Sequence, residues 1–315
     1  MVYQLQFRPY QRSFVRSLST SHGNWKTREG IILQLIDETG AVGWGEIAPL
    51  PWFGSETLAA ALDFCSQLGK EITRETIFSI PDQLPACQFG FESAWQAIKH
   101  PQKVTLNFNF SGLLPSGEAA LHTWEKLWQQ GYRTFKWKIG VLPIAAEIDI
   151  FKKLIQALPN EAKLRLDANG GLTWETATKW LKICDPWQIE FLEQPLAVGE
   201  EKAMLELSKK SSTPLALDES VATIAQLKAC YQLGWQGIFV IKPCIAGSPF
   251  LLREFCQENN LDVVFSSVFE TTIGRQAALK LATQISLTNR ALGFGINHWF
   301  KEDEKTWLAA LWKHL

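Results

Sequence analysis

The sequence predicts an α/β protein, a (β/α)8-type barrel with an N-terminal α+β capping domain. From about Val104 onward, a unit of short apolar strand, polar turn and helix-length segment recurs eight times. This alternation is typical of parallel βαβ units. Residues 1–98 do not follow that alternation. The chain has 315 residues, which suits a barrel of about 250 residues and one small additional domain.

The first 98 residues show the pattern of a small antiparallel domain. A turn signal at Glu38–Gly40 separates two apolar strands, and amphipathic helices follow them. We expect strands at Val2–Phe7, Gly30–Ile36 and Ala41–Ile47 and helices at Glu56–Leu68 and Phe89–His100.

Residues 99–295 are predicted to form the barrel. Strands are recognised by short apolar or alternating runs, and helices by amphipathic stretches. The expected strands are Thr105–Phe110, Thr134–Ile139, Lys163–Asp167, Ile189–Glu193, Leu215–Asp218, Gly237–Lys242, Asp262–Ser266 and Arg290–Leu292. The expected helices are Glu118–Gln130, Ile144–Ala157, Thr173–Cys184, Glu200–Lys210, Thr223–Leu233, Phe250–Glu258 and Thr272–Thr283.

The tail, residues 296–315, is predicted to pack back on the cap through an amphipathic helix at Glu302–Leu315. A doubly wound open sheet is the alternative fold for the repeated βα units. It loses support because the chain has no G-x-G-x-x-G after the first strand and no G-x-x-x-x-G-K-[ST].

Composition is that of an ordinary globular protein, and we expect a cytoplasmic one. The net charge of −1 gives no reason to expect nucleic acid or a membrane as partner. The chain has neither a secretory signal at its start nor an apolar run of transmembrane length. Its six cysteines are scattered without a C-x-x-C pair, which favours reduced thiols over disulfides or a zinc site.

Charged residues occur on five successive predicted strands. Lys136 and Lys138 share one face of the second strand, about 6.5 Å apart. The next three strands end in Asp167, Glu193 and Asp218, and the sixth ends in Lys242, at intervals of 26, 25 and 24 residues. Each interval equals one βα unit, so all these side chains are expected at the C-terminal rim, where barrel active sites lie.

Three converging carboxylates require a cation. Oxygen ligands without His or Cys favour Mg²⁺, with Mn²⁺ as the alternative. A metal ion of this kind stabilises charge on a carboxylate whose α-proton is being removed. The base must then be neutral, and nearby cations and burial can lower a lysine pKa from about 10.4 to roughly 7–8. The pattern therefore predicts proton abstraction beside a carboxylate.

Five short motifs resemble those of the muconate-lactonizing-enzyme subgroup of the enolase superfamily. They are Lys136-Trp-Lys138, Asp167-Ala-Asn169, Glu193-Gln-Pro195, Leu217-Asp-Glu-Ser220 and Ile241-Lys-Pro243. Two longer stretches, residues 43–51 and 266–274, are similar to segments of the o-succinylbenzoate synthase family. The resemblance extends over nearly the whole chain.

This resemblance implies a Mg²⁺-dependent dehydratase. The reaction is a syn elimination through an enediolate that converts 2-succinyl-6-hydroxy-2,4-cyclohexadiene-1-carboxylate to o-succinylbenzoate, for menaquinone or phylloquinone. Lys138 would act as the base and then as the acid. Lys136 would lower the pKa of Lys138, and Lys242 would give electrostatic and cation–π support from the opposite face of the substrate. Asp167, Glu193 and Asp218 would bind the metal.

The same resemblance implies supporting roles for further residues. Asn169 and Glu219 would orient the metal ligands, and Ser266, Ser267 and Gly293 would grip substrate carboxylates. The first domain of the superfamily caps the barrel mouth, and Ser19–Arg28 and Pro51–Gly54 are candidates for a mobile lid.

Other functions remain to be weighed against this one. An N-acylamino-acid racemase or dipeptide epimerase would use the same lysines as base and acid on opposite faces of an α-carbon. The D-x-D pair that grips a dipeptide near the eighth strand in relatives is absent here. A Schiff-base aldolase would leave the three carboxylates unexplained, and a scaffold protein would have no need of the complete charged set.

Overall fold

The structure is a computed structural model of the chain and describes residues 1–20, 23–101, 108–285, 289–295 and 299–313. It contains a four-stranded antiparallel sheet and a seven-stranded parallel sheet. The α/β class and the two-part architecture predicted above are confirmed. No helix within these described ranges is long and apolar enough to cross a membrane.

The antiparallel sheet and its helices make up the N-terminal part. Its strand order is β3-β2-β1-β4. The elements are β1 (Val2–Thr20), β2 (Gly23–Ile36), β3 (Val42–Ile47), α1 (Leu58–Gln67), β4 (Glu71–Thr73), α2 (Arg74–Phe78) and α3 (Pro85–Lys99). β1 and β2 pair as a long hairpin up to Thr20 and Gly23, so the described part of the lid candidate Ser19–Arg28 is the end of this hairpin, and its role as a lid stays a prediction. Residues 21 and 22 lie outside the description.

The parallel sheet runs in the order β11-β10-β9-β8-β7-β6-β5, with helices between its strands. Its strands are β5 (Ser111–Leu114), β6 (Thr134–Lys138), β7 (Lys163–Asp167), β8 (Phe191–Glu193), β9 (Leu215–Leu217), β10 (Ile238–Ile241) and β11 (Val263–Phe265). Its helices are α4 (Ala120–Gln129), α5 (Ile144–Ala157), α6 (Trp174–Cys184), α7 (Glu201–Ser208), α8 (Ile224–Gln232), α9 (Pro243–Ala246), α10 (Pro249–Glu258) and α11 (Thr272–Ile285).

The first predicted barrel strand was wrongly placed. Residues 105–107 of that prediction lie outside the description, and residues 108 and 109 are not in a strand. The strand that pairs in parallel with β6 is Ser111–Leu114 instead. This strand is short and begins with Ser-Gly, so it carries a weak strand signal, whereas the alternating run before it matched the half-exposed pattern of an antiparallel strand.

The eighth predicted strand, Arg290–Leu292, is not a strand of its own but closes the ring. Leu292 forms an isolated parallel bridge with Phe110, and Gly293 forms one with Ser266. The Ser111 amide donates to the Leu292 carbonyl at 2.9 Å, and the Gly293 amide donates to the Phe265 carbonyl at 2.8 Å. This segment therefore joins β11 to the start of β5.

The last helix, α12 (Glu304–Lys313), lies on the N-terminal sheet. The ring centroids of Trp44 and Trp312 are 4.7 Å apart, and those of Tyr10 and Trp307 are 5.3 Å apart. Arg12 also forms an ion pair with Glu304. Residues 314 and 315 of the predicted tail helix lie outside the description.

Glycines explain how closely strand β3 approaches helix α3. A Cβ at Gly43 would lie 2.0 Å from the Ala94 carbonyl oxygen, and one at Gly45 would lie 2.0 Å from the Gly90 carbonyl oxygen. Backbone oxygens cannot retreat cheaply, so only glycine fits at these positions. The segment of residues 43–51 thus has a packing role in the cap.

A buried glutamate ties helix α3 to the barrel. Glu92, 2% exposed, accepts hydrogen bonds from the Ser248 hydroxyl at 2.8 Å and the Phe250 amide at 3.2 Å, at the start of α10. Burial raises the pKa of Glu92 to about 7 from its ordinary value of 4.5. The folded protein therefore holds this proton more tightly than the unfolded chain does.

We expect Glu92→Gln to gain stability relative to wild type as the pH rises. The contribution of Glu92 to folding is fully present below about pH 4.5 and is lost as pH rises through about 7. The loss amounts to about 3 kcal/mol, and glutamine does not titrate. Urea unfolding at pH 5 and pH 8 measures the difference. The exposed Glu258→Gln serves as control, and a pH-independent difference between Glu92→Gln and wild type contradicts the prediction.

Candidate active site

The register of the parallel sheet brings three predicted site residues side by side. Lys138 pairs with Asp167 between β6 and β7, and Asp167 pairs with Glu193 between β7 and β8. Asp218 directly follows β9, and Lys242 directly follows β10. Consecutive parallel strands therefore end at one rim, where a cavity of about 660 Å³ opens.

Ion pairs connect the three carboxylates with two of the three lysines. Asp167, Glu193 and Asp218 are at most 5% exposed. Lys136 Nζ lies 2.7 Å from Asp167 Oδ2 and 2.5 Å from Glu193 Oε1. Lys242 binds both carboxylate oxygens of Asp218 and lies 3.8 Å from the centre of the Phe53 ring. Within the described ranges, no three acidic, His or Cys side chains are grouped closely enough to hold a metal as they stand.

Burial and mutual repulsion raise the pKa of two acids of this cluster, whereas the Lys136 charge outweighs burial at Asp167 and lowers its pKa. Burial, together with the Asp167 charge, raises the pKa of Glu193 to about 8. Burial and the Asp218 charge raise the pKa of Glu219 to about 7. Burial alone would lower the pKa of Lys136, but the charges of Asp167 and Glu193 outweigh it and raise that pKa. The cluster therefore favours bound positive charge.

Lys138 differs from the other two lysines. It is half-buried and lines the cavity. Among the residues that the structure describes, it has no hydrogen-bond or ion-pair partner, whereas Lys136 and Lys242 both hold carboxylates. Its amine is thus available to a molecule in the cavity.

Asn169 and Glu219 lie next to the carboxylate cluster. The Asn169 amide N–H donates to Asp167 Oδ1 at 3.0 Å, and Asn169 Nδ2 donates to Glu219 Oε1 at 3.2 Å. Asn169 adopts a left-handed backbone with φ of 43°, which asparagine tolerates better than most residues. Glu219 Oε2 is buried and has no hydrogen-bond partner among the described residues.

Gln194 is a supporting residue whose role the sequence patterns do not predict. It is fully buried, and its Oε1 accepts the Asp218 amide at 2.9 Å and the Ser220 amide at 3.2 Å. Its Nε2 donates to the Leu196 carbonyl at 3.0 Å and to the Ser220 hydroxyl at 2.8 Å. Gln194 thus fixes the backbone that carries Asp218. A polar side chain directly after a buried strand was the available signal.

The three residues predicted to bind substrate carboxylates lie together at the rim, but they differ in their contacts. Ser266, Ser267 and Gly293 all line the cavity. A Cβ at Gly293 would lie 2.6 Å from Ser266 Oγ, so glycine is required there. The Ser267 hydroxyl instead donates to Glu270 at 2.9 Å and accepts the Phe269 amide at 2.8 Å.

Aromatic rings from the cap and barrel roof the cavity. Trp25 of β2 lies 5.1 Å from Trp52, which is part of the 3₁₀ turn Pro51–Phe53, and 5.4 Å from Phe269. Phe269 lies 4.8 Å from Trp299, measured between ring centroids. The cavity therefore has a charged floor and an apolar mouth, which suits a carboxylate attached to a hydrocarbon ring.

Comparisons with known proteins agree in both parts of the chain. Residues 119–309 match the family described as enolase C-terminal domain-like, and residues 7–98 match the family described as MenC, N-terminal domain. The o-succinylbenzoate synthase of Thermosynechococcus vestitus is 42% identical, over 98% of each chain. That of Pectobacterium atrosepticum is 31% identical, over 83% of this chain and 80% of the relative.

Solved structures support the same grouping. The o-succinylbenzoate synthase from Thermosynechococcus elongatus BP-1, complexed with Mg in its active site, superposes with a TM-score of 0.92 at 41% identity. That match covers 99% of this chain and 100% of the other. A dipeptide epimerase from Enterococcus faecalis, with Mg and L-Leu-L-Tyr, gives a TM-score of 0.79 at 22% identity over 92% and 89%. The second likeness concerns the fold alone.

Proposed function

The chain belongs to the o-succinylbenzoate synthase family of the enolase superfamily, and we infer from this premise that it is a Mg²⁺-dependent hydro-lyase. It converts 2-succinyl-6-hydroxy-2,4-cyclohexadiene-1-carboxylate to o-succinylbenzoate and water, in menaquinone biosynthesis or the related phylloquinone route. The observation that carries this conclusion is a lysine without a partner among the described residues, Lys138, which lines the same cavity as Lys242 and lies beside three buried carboxylates.

The residues present fit a magnesium ion. We propose that Asp167, Glu193 and Asp218 hold it, because they offer only oxygen atoms and are buried at one rim. The unpartnered Glu219 Oε2 and the raised pKa of Glu193 both indicate a cluster in need of a cation. When bound, Mg²⁺ supplies a positive charge that stabilises the developing charge on the substrate carboxylate.

Lys138 is proposed to move the proton. Its unpartnered amine removes the hydrogen from the ring carbon that bears the carboxylate, and its ammonium then protonates the departing hydroxyl group. One C–H and one C–O bond break, water leaves, and the ring becomes aromatic. Acid and base are the same group on one face, which makes the elimination syn.

The other lysines are proposed to contribute charge. Lys136 stays bound to Asp167 and Glu193 and so keeps positive charge beside Lys138. Lys242 lies against the Phe53 ring. We propose that its positive charge also stabilises the electron-rich ring of the substrate. We assign carboxylate binding to Ser266 and the Gly293 backbone, and the orientation of the metal ligands to Asn169 and Glu219.

We also propose the wider setting of the enzyme. The chain is divided into a cap at 1–98, a barrel at 99–295 and a segment at 296–315 that packs on the cap; the position of α12 on the N-terminal sheet supports this division.

All six cysteines are free and buried, which suits the reducing cytoplasm. The near-zero net charge suits a small carboxylate as partner rather than nucleic acid or a membrane. No observation favours racemase or epimerase activity, since those structural likenesses concern the fold alone.

Turnover of the cyclohexadiene substrate should depend completely on the metal. Purified protein with Mg²⁺ is expected to consume the substrate, followed by loss of its absorbance. EDTA should abolish the rate, and excess Mg²⁺ should restore it, because the carboxylate cluster alone cannot stabilise the developing negative charge. Absence of turnover with Mg²⁺, or a rate unchanged by EDTA, would overturn the proposed function.

A further inference from the structure

A buried glutamate next to the substrate-facing serines has no part in the reaction described so far. Glu270 is 7% exposed and follows the turn after β11. Its Oε2 accepts the Val268 amide at 2.7 Å, and the Ser267 hydroxyl donates to its two oxygens at 2.9 and 3.0 Å. The carboxylate thus holds the backbone and a side chain of the same turn.

The hydroxyl and the backbone amide of Ser267 are both engaged in hydrogen bonds within the protein. Its hydroxyl proton is given to Glu270, its Oγ accepts the Phe269 amide at 2.8 Å, and its own amide donates to the Gly293 carbonyl at 3.3 Å. Ser266 is different, because its hydroxyl has no hydrogen-bond partner among the described residues and faces Gly293 in the cavity. The two neighbouring serines therefore cannot serve a substrate equally.

The same turn holds Phe269 in an unusual conformation. Phe269 has φ of 61°, in the left-handed region that bulky residues avoid. Such a conformation persists only where surrounding contacts determine it. In this conformation the ring packs against Trp25 and Trp299 at the mouth of the cavity, with centroid distances of 5.4 and 4.8 Å.

The chain beyond the turn is held from the cap. Glu46 of β3 is fully buried and accepts the Thr271 amide at 2.9 Å and the Gly274 amide at 2.9 Å. The Tyr10 hydroxyl donates to the same carboxylate at 2.5 Å. Because Thr271 is anchored to the cap, any movement of the preceding turn is confined to residues 266–270.

We propose that Glu270 is a positioning residue: it fixes the Ser267–Phe269 turn, so that Ser266 rather than Ser267 offers its hydroxyl to the substrate carboxylate and Phe269 closes the cavity against the cap. This proposal rests on the proposed function. It assigns Ser267 to the support of the turn rather than to the substrate, and it makes substrate binding, more than proton transfer, depend on Glu270.

Steady-state kinetics of single and double variants test this assignment. Glu270→Ala is expected to raise KM about 10-fold or more with a much smaller change in kcat, because displaced binding groups weaken substrate positioning. Ser267→Ala should have a similar but smaller effect, and the double variant should be no worse than Glu270→Ala alone. Glu270→Gln should recover most of the affinity, since an amide can accept from Val268 and donate to Ser267.

Ser266→Ala should raise KM, and Glu270→Ala should have a smaller effect in the Ser266→Ala background than in wild type, because Glu270 acts partly through the position of Ser266. The exposed Glu258→Ala is the control for a lost glutamate. Multiplying effects of Ser267→Ala and Glu270→Ala would show that Ser267 binds substrate directly and would overturn the proposal. A fall in kcat alone in Glu270→Ala would do the same.

Hydrogen exchange separates this proposal from the proposed function. Without substrate, the amides of Val268 and Phe269 should exchange slowly in wild type and quickly in Glu270→Ala, while Mn²⁺ binding stays unchanged. If wild type fails to turn over the substrate, the proposed function fails, yet the exchange experiment still tests the turn. If Glu270→Ala keeps wild-type protection and KM in an active enzyme, the positioning role is refuted.

Discussion

Lys138→Ala should lose turnover by about 10³-fold or more while the protein stays folded. A positioned general base contributes roughly 10²–10⁴-fold, and here the same group is proposed to act again as the acid. Lys138 is half-buried and lacks a partner among the described residues, so its truncation breaks no ion pair. Substrate turnover, Mn²⁺ affinity and thermal unfolding should be measured together, with only the first expected to change strongly.

A second variant of Lys138 and a control variant distinguish the role of Lys138 as a base from the effect of its positive charge. Lys138→Arg retains the positive charge but cannot release a proton at working pH, so it should be as inactive as Lys138→Ala. Lys152→Ala, at an exposed position on α5, should behave like wild type. A near-normal rate in either Lys138 variant would remove this lysine from the chemical step and direct attention to Lys242.

Glu193→Gln should weaken metal binding and abolish most turnover without destabilising the metal-free protein. Glu193 is 1% exposed, and burial together with the Asp167 charge disfavours its ionised form. Glutamine removes a buried charge and can still accept from Lys136, which retains its ion pair with Asp167 at 2.7 Å. We expect Mn²⁺ affinity to fall about 100-fold or more, since even partners that only orient a ligand contribute 10–100-fold.

Glu193→Gln is expected to lose metal affinity while the metal-free protein keeps its stability, and this combination makes the test specific. Calorimetric titration with Mn²⁺ gives the affinity, and urea unfolding in EDTA gives the metal-free stability. The exposed Glu161→Gln controls for the loss of one acidic charge. Wild-type Mn²⁺ affinity in Glu193→Gln would exclude this residue as a ligand, whereas a marked loss of metal-free stability would show that the carboxylate serves the fold.

Much of the fold could be predicted because apolar residues recur with a short period along strands and helices. The strand Lys163–Asp167 and the helix Ile144–Ala157 were predicted with the observed limits. The first barrel strand was misplaced because an alternating run resembled a strand more than Ser111–Leu114 did. Strands β1 and β2 are longer than predicted, because their pairing depends on contacts across the two strands rather than on either one.

The candidate site could be located from the sequence for a related reason. Intervals of one βα unit place Asp167, Glu193 and Asp218 at successive strand ends, and period two places Lys136 and Lys138 on one face. Neither rule says what each side chain touches. Lys136 and Lys242 hold carboxylates in the structure, while Lys138 holds none among the described residues.

The fold class, the charged rim and the kind of chemistry that such charge supports could all be predicted from residue patterns. The partners of each side chain could not: the structure was needed to find that Lys138 lacks a partner among the described residues, that Gln194 fixes the backbone of Asp218, and that Ser266 and Ser267 differ. This division follows from the range of the interactions. Strand periodicity is set by neighbouring residues, whereas the Glu46–Thr271 hydrogen bond joins positions 225 residues apart and exists only after cap and barrel have packed.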